Sequence, residues 1–313
     1  MKTSWDTEKK STRDRKKLGY VGLGKMGFSM VERLTEKGYK TVVFDVNKDA
    51  VKRAAAIPSA PAADIESLVG ALKKPRLIWL MLPHETVDVF LRDLIPLLDQ
   101  GDTVVDGGNS YYKDSIRRSG ELAIKKIGFL DAGVSGGPVG ARNGACIMVG
   151  GEKAVFDSYK HLFRDLSVKD GYGYMGGPGA GHFVKMVHNG IEYGMMQALA
   201  EGFAVMKASP FNLDLMKVAD LYNHGSVIAS RLVGWLKEAF VEYGQGLDAI
   251  SGSAAQSGEG LWTVEAGGEI GVPTPIIEGS VNFRSASKTR PSYTGQIISA
   301  LRNQFGRHDV FKR

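Results

Sequence analysis

Three clusters in this 313-residue sequence carry residue types at spacings that suit chemistry better than packing. The first is Gly22-Leu23-Gly24-Lys25-Met26-Gly27, set between a strand-like segment and a helix-like one. In that context the first glycine permits a tight turn and the second lets a pyrophosphate approach the backbone. The third allows a helix to pack closely on a strand. The helix that follows offers N-terminal N–H groups to phosphate. A dinucleotide is the expected ligand, a structural glycine turn the alternative. Asp45 ends the next strand, 18 residues after Gly27. A carboxylate there accepts hydrogen bonds from the adenine ribose hydroxyls and repels a 2′-phosphate. Val46 and Asn47 supply no arginine, and Lys48 is the nearest cation. NAD rather than NADP is therefore expected, unless Asp45 merely opens a turn.

The second cluster is a pair of loops, each directly after a strand-like run. Asp106-Gly107-Gly108-Asn109-Ser110 is polar and would lie at the carboxyl edge of a sheet, where open α/β folds bind ligands. In Val134-Ser135-Gly136-Gly137-Pro138 the paired glycines expose N–H groups able to hold a carboxylate, beside the Ser135 hydroxyl. Plain turns have similar composition. The third cluster sits on a helical stretch, where Lys185, His188, Asn189 and Glu192 recur at spacings of three, four and seven and so share one face. A solvated face would look similar, but its neighbours Phe183, Val184, Met186, Val187 and Ile191 are apolar, so the face is expected to be covered. Buried charges are costly unless paired or functional. A lysine whose pKa is lowered can act as the general base of an alcohol oxidation; a structural ion-pair network is the other reading.

The surrounding pattern shows which elements must hold these groups. Residues 18–22, 41–44, 77–82, 103–106, 128–132 and 146–150 read as buried strands and residues 26–37 as a helix. Short apolar strands separated by helix-length segments imply parallel βαβ units. Residues 180–208 contain no proline and no alternation, giving one helix about 43 Å long. Helical segments follow at 213–221, 229–240, 263–269 and 274–287. The expectation is a Rossmann-type α/β domain with a parallel-rich, doubly wound sheet over residues 17–178, then an all-helical domain over 179–313. The net charge of +6 does not point to nucleic acid. Residues 1–17 hold seven basic and three acidic side chains and so supply +4 of it, and residues 1–16 read as a disordered basic tail. With one cysteine, Cys146, no internal disulfide is possible and a reducing, cytoplasmic setting is expected. No apolar run is long enough to span a bilayer, and no compact His/Cys/Asp/Glu cluster suggests a metal.

Together the DGGNS loop, GVSGG followed by GARNG, and GAGHFVKMVHNGIEYG resemble the 6-phosphogluconate dehydrogenase family, within the β-hydroxyacid dehydrogenase superfamily. The resemblance runs from about Leu18 to His308 and is to the short form, without a second helical repeat. It implies NAD-dependent oxidative decarboxylation of 6-phosphogluconate to ribulose 5-phosphate, in the pentose phosphate pathway and gluconate utilisation. Lys185 would take the C3 hydroxyl proton and then, as a cation, stabilise the enolate left by decarboxylation. Glu192 would protonate C1 of the resulting enediol. Asn109, Ser135, Gly136, Gly137, His188 and Asn189 would orient the substrate, with Asn109 also beside the cofactor. Tyr193 and Arg284 would contact phosphate, joined by Arg302 and His308 from a neighbouring subunit. The site is then completed within a homodimer or homotetramer. An exposed, frayed end is the other reading of the Arg302–His308 pair.

One departure from the family's long form stands out: Ser257 and Glu259 replace a lysine and a threonine ahead of Trp262. A carboxylate in place of a cation is expected to weaken phosphate binding unless another residue compensates. The competing activity is that of a 3-hydroxyacid dehydrogenase acting on a small unphosphorylated acid such as 3-hydroxyisobutyrate. Arg284, Arg302 and His308 argue against it, since such an acid gives them nothing to bind. A fold kept for sensing or scaffolding would have no need of the Lys185, Asn189 and Glu192 set.

Overall fold

Strand and helix alternate through the first part of the chain. In order they are β1 (Lys17–Val21), α1 (Lys25–Glu36), β2 (Lys40–Phe44), α2 (Lys48–Ala54), β3 (Ser59–Pro61), α3 (Ile65–Gly70), β4 (Leu77–Leu80), α4 (His84–Leu94) and β5 (Thr103–Asp106). Then come α5 (Tyr112–Ile124), β6 (Gly128–Ser135), α6 (Gly137–Asn143), β7 (Ala145–Gly151), α7 (Lys153–Leu166) and β8 (Ser167–Gly176). The remainder is helical: α8 (Ala180–Ala208), α9 (Leu215–Tyr222), α10 (Arg231–Tyr243), α11 (Glu259–Glu269), α12 (Pro275–Ser287) and α13 (Tyr293–Gly306). This computed structural model describes residues 17–310, so the basic tail at residues 1–16 lies outside the described residues. The chain forms two compact units that meet in sequence at Lys185 and Met186.

The first unit is built on one sheet in the order β3-β2-β1-β4-β5-β6-β7-β8. Period-two alternation sends neighbouring side chains to opposite faces. Leu18, Tyr20, Trp79, Val105 and Leu130 join one core with Met30 and Val31 of α1 and Phe163 of α7. Val21, Ile78, Leu80, Val104 and Phe129 join the other with Leu68, Val87 and Leu91. Helices thus cover both faces, as expected for a doubly wound sheet. β7 departs from the expected parallel run and pairs antiparallel with β6. Only residues 136–144 connect the two strands, and a parallel crossover needs a dozen or more. The edge strands β3 and β8 were not expected: β3 is three residues ending in Pro61, and β8 (SVKDGYGYMG) is rich in glycine and charge.

The second unit packs around Met196, Ala200 and Phe203 of α8, with Leu215, Leu236, Phe240, Ile297, Ile298 and Leu301. Its last helix, α13, contains Arg302, and residues 297–304 of it are buried. Ser292 caps the start of α13 by accepting from the Gly295 N–H at 3.2 Å. The C-terminal segment is therefore no frayed end through residue 306. Beyond it Val310 is buried, and its carbonyl accepts from the Ser251 N–H at 2.8 Å.

Candidate active site

The glycine loop joins β1 to α1. A Cβ added at Gly22 (φ +92°) would stand 2.2 Å from the Met81 carbonyl oxygen, and one at Gly27 would stand 2.0 Å from that of Gly22. Both positions therefore require glycine for packing. Gly24 differs, because an added Cβ there meets nothing within 4 Å. It is the N-cap of α1, and no side chain caps that helix. An open backbone at an uncapped helix start suits a pyrophosphate. Asp45 braces the loop from the end of β2: its carboxylate accepts from the Leu23 N–H at 2.6 Å and the Asn47 N–H at 2.7 Å. Leu23 is buried, Met26 half-buried and Lys25 exposed. Loop and acid fit a dinucleotide.

Two further loops leave the carboxyl end of the sheet in this unit. After β5, the fully buried Asp106 carboxylate accepts from the Gly108 N–H at 3.1 Å and the Ser110 hydroxyl at 2.8 Å. Arg118 of α5 donates to it at 3.1 Å and to Asp88 at 2.6 Å. This ion-paired frame holds the turn and leaves Asn109 exposed at its tip. Arg118 was not foreseen, because from sequence it is one cation on an amphipathic helix. After β6, Ser135 precedes Gly136 (φ +124°) and Gly137 (φ +63°), which open α6. Lys185 of α8 lies against β6, where a Cβ at Gly133 would be 2.3 Å from the lysine Cβ. The buried His182 Nδ1 is 2.7 Å from the Ser115 Oγ, a pair also not foreseen.

In the second unit, His188 Nδ1 is 3.0 Å from Asn189 Oδ1 and 3.9 Å from a Glu192 carboxylate oxygen. All three side chains are half-buried. Tyr193, one residue further on, is buried, and the Arg284 guanidinium sits 3.4 Å from its ring centroid. The Tyr193 hydroxyl accepts from the Ser257 N–H at 3.3 Å, and a Cβ at Gly260 would strike the ring at 2.6 Å. Arg284 is only 1% exposed; it donates to the Ala255 carbonyl at 3.4 Å, and its Nε has no hydrogen-bond partner. Burial pushes Arg284 down to about 10, the like charge of Arg302 acts in the same direction, and Tyr193, Glu192 and Glu259 oppose it. Burial also lowers Arg302, against the pull of Tyr193, Glu259 and Glu192.

The structure thus brings Glu192, Tyr193, Arg284 and Arg302 into one electrostatic cluster and adds the buried Glu259 to it. Arg302 reaches this cluster within its own chain, where the resemblance implied a reach from a neighbouring subunit. His308 is exposed, with its ring edge toward Phe305 (centroids 6.4 Å apart) and its carbonyl accepting from the Asn303 side-chain amide at 2.8 Å. Burial of Val310 is what folds this tail back onto its own unit. Among the described residues, no group of three or more His, Cys, Asp or Glu side chains is placed to hold a metal, and no helix is long and apolar enough to cross a membrane.

A doubly wound sheet with an open glycine loop and an acid at the tip of its second strand, followed by a helical unit, defines an NAD-dependent oxidoreductase. Residues 17–176 match the family described as the NAD binding domain of 6-phosphogluconate dehydrogenase, and residues 181–294 the one described as 6-phosphogluconate dehydrogenase, C-terminal domain. The chain belongs to the 6-phosphogluconate dehydrogenase family. Bacillus subtilis YqeC is 45% identical over 297 residues, covering 95% of this chain and 100% of that one. The Haloferax volcanii 6-phosphogluconate dehydrogenase, NAD(+)-dependent, decarboxylating, is 41% identical over 95% of this chain and 99% of its own. The solved Plasmodium falciparum 6-phosphogluconate dehydrogenase superposes with a TM-score of 0.81 at 31% identity, over 88% of this chain but 62% of that one. The match in length to the first two relatives is that of a short form.

Proposed function

We propose that this protein oxidises and decarboxylates 6-phosphogluconate to ribulose 5-phosphate and carbon dioxide, reducing NAD. The observation that carries the substrate assignment is the pair of buried arginines, Arg284 and Arg302. Two guanidinium groups that burial disfavours and that repel one another are stabilised by a doubly charged anion, and arginine binds phosphate bidentately. Tyr193 packs under Arg284 and adds its hydroxyl to the same site. A small unphosphorylated hydroxyacid would give this pair no phosphate to bind, leaving only the partial compensation from Glu192 and Glu259.

Bound NAD supplies the hydride acceptor; residues Gly22 to Gly27, Asp45 and Asn109 would hold it. Lys185 takes the C3 hydroxyl proton as the C3 hydride departs. The resulting 3-keto acid loses its C1 carboxylate as carbon dioxide, and the lysine, now an ammonium, stabilises the oxygen that gains the charge. Glu192 then delivers a proton to the enediol carbon that was C2 of the substrate and becomes C1 of ribulose 5-phosphate. Asn109, Ser135, Gly136, Gly137, His188 and Asn189 orient the substrate; His308 adds to the phosphate site. Assembly as a homodimer or homotetramer is part of this proposal. It is supported by apolar side chains exposed along α8 at Ile191, Met195 and Val205. A cytoplasmic place in the pentose phosphate pathway or gluconate utilisation agrees with the single cysteine.

The test follows reduced-cofactor absorbance with 6-phosphogluconate and NAD or NADP while released carbon dioxide is assayed. Carbon dioxide stoichiometric with NADH is the expected outcome. Turnover of 3-hydroxyisobutyrate in place of 6-phosphogluconate would overturn the phosphate site.

A further inference from the structure

The N-terminal turn of α8 has N–H groups with no acceptor inside the helix. Asp131, in the middle of β6 and fully buried, accepts from two amides there: the Gly179 N–H at 2.8 Å and the His182 N–H at 2.8 Å. A carboxylate in the centre of a sheet is costly to bury unless hydrogen-bonded, and a helix start is where its negative charge is favoured. The backbone makes room for it. Gly150 of β7 is the cross-strand partner of Asp131, and a Cβ added there would lie 2.6 and 2.7 Å from the two carboxylate oxygens. A Cβ at Gly181 would lie 2.5 Å from the Asp131 carbonyl oxygen. The start of α8 therefore rests directly on the sheet, with the carboxylate as its anchor.

Asp131, Gly133 and Ser135 fall on one face of β6, because side chains alternate along a strand. Asp131 holds the helix start, Gly133 seats the Lys185 Cβ, and Ser135 leads into the paired-glycine loop. On the other side the His182 ring is tied to Ser115 of α5 at 2.7 Å, and Phe183 packs edge-on against Tyr112 with centroids 5.1 Å apart. We propose that Asp131 is a positioning residue: by capping α8 over β6 it sets the reach of Lys185 toward the loop that begins at Ser135. This rests on the reading of Lys185 as the base. A misplacement of about 1 Å in a reacting group costs roughly a hundredfold in rate, so the cap contributes to turnover beyond its contribution to folding.

The test compares Asp131→Ala, Asp131→Asn, Gly133→Ala and Lys185→Met in the full-length protein with 6-phosphogluconate and NAD. Read out are kcat, KM, the Kd for NADH by fluorescence, and hydrogen exchange of the Gly179 and His182 amides. Asp131→Ala is expected to lower kcat by roughly ten- to a hundredfold, with NADH affinity unchanged and exchange at both amides accelerated. Asp131→Asn, which retains one acceptor oxygen, recovers part of the rate. Gly133→Ala keeps the carboxylate but displaces Lys185, and lowers kcat with NADH affinity intact; it decides the matter if Asp131→Ala does not fold. Wild-type kcat in folded Asp131→Ala or Gly133→Ala, or a rate loss that merely tracks lost NADH affinity, would overturn the proposal. If Lys185→Met kept its turnover, the lysine would not be the base, and that reading would fall. If Lys185→Met were inactive while the β6 variants turned over normally, only the positioning role would fall.

Discussion

In the first unit the buried Asp106 carboxylate meets the Ser110 hydroxyl at 2.8 Å and the Arg118 guanidinium at 3.1 Å. In the second unit the equally buried Arg284 has a tyrosine face, one carbonyl at 3.4 Å and an Nε without a partner. Both regions bury charge, at opposite degrees of compensation. Arg118 has Asp88 and Asp106 within ion-pair distance and also donates to the His84 carbonyl. Arg284 is pushed down to about 10 because burial outweighs its anionic neighbours. A charge fully met by the protein shapes a loop. A charge left short of compensation retains interaction energy for an anionic ligand. The contrast separates a scaffold for Asn109 from the proposed phosphate site around Tyr193, and each substitution below would break or sharpen it.

The largest effect is expected in the scaffold. Arg118→Met removes one partner of a buried pair and leaves the Asp106 carboxylate uncompensated, which costs about 3–5 kcal/mol. Denaturant unfolding, read as a lower midpoint at unchanged m-value, measures it. A loss under about 1 kcal/mol would mean that the hydroxyl and amide of the turn suffice for Asp106 without the arginine.

Arg284→Met should do the reverse, with little change in stability and a large change in binding. Loss of a charged hydrogen-bonding partner costs about 1.5–3 kcal/mol, so KM for 6-phosphogluconate should rise roughly ten- to a hundredfold while kcat falls less. Excess inorganic phosphate should raise the melting temperature of the wild type by mass action and leave the variant unmoved. Equal phosphate stabilisation of both proteins would remove Arg284 from the phosphate site.

The same arginine sets a smaller, pH-dependent effect. Its folded value lies below the ordinary 12.5, so on raising the pH past about 10 the folded chain gives up this proton before the unfolded chain does. With respect to this group, the unfolded state then binds more protons and stability rises with pH. Phosphate affinity moves the other way, because the cation it needs is lost. The phosphate-induced rise in melting temperature should therefore be smaller at pH 10.5 than at pH 8.5. An undiminished rise would show that Arg284 keeps its proton at pH 10.5.

The chemistry-bearing groups were legible in sequence where they sit in local motifs, and illegible where the partner is remote. The glycine loop, Asp45 and the helix over residues 180–208 follow from composition and spacing within a single βα unit or helix. Asp131 could not be read that way. In Phe129-Leu130-Asp131-Ala132 a polar residue between apolar ones looks like the solvent side of a strand, and the amides it holds lie 48 and 51 residues further on. Arg118 was hidden for the same reason, since its carboxylates at Asp88 and Asp106 belong to other elements. The antiparallel β7 was not legible: strands read at 128–132 and 146–150 leave 13 residues between them, enough for a parallel crossover, and only the longer observed β6 shortens the link to residues 136–144. Helix α13 is not legible in the sequence, where Arg302 and His308 read as a tail pair, whereas in the structure the buried face of residues 297–304 carries the packing.

The finest distinction concerns the cofactor. Asp45 bears on NAD against NADP in two ways that one substitution separates. Its carboxylate braces the loop by accepting from Leu23 and Asn47, and its charge repels a 2′-phosphate. Asp45→Asn keeps an acceptor oxygen for the brace and removes the charge. If repulsion is the selector, the ratio of kcat/KM for NAD over NADP should fall by roughly tenfold, about 1.4 kcal/mol. Most of that change should come from better use of NADP. If the brace is what matters, kcat/KM should fall with both cofactors and the ratio should hold. Asp45→Ala, which removes both functions, then supplies the reference: under the first outcome it matches Asp45→Asn in selectivity but is slower with either cofactor, because the Leu23 amide has lost its acceptor.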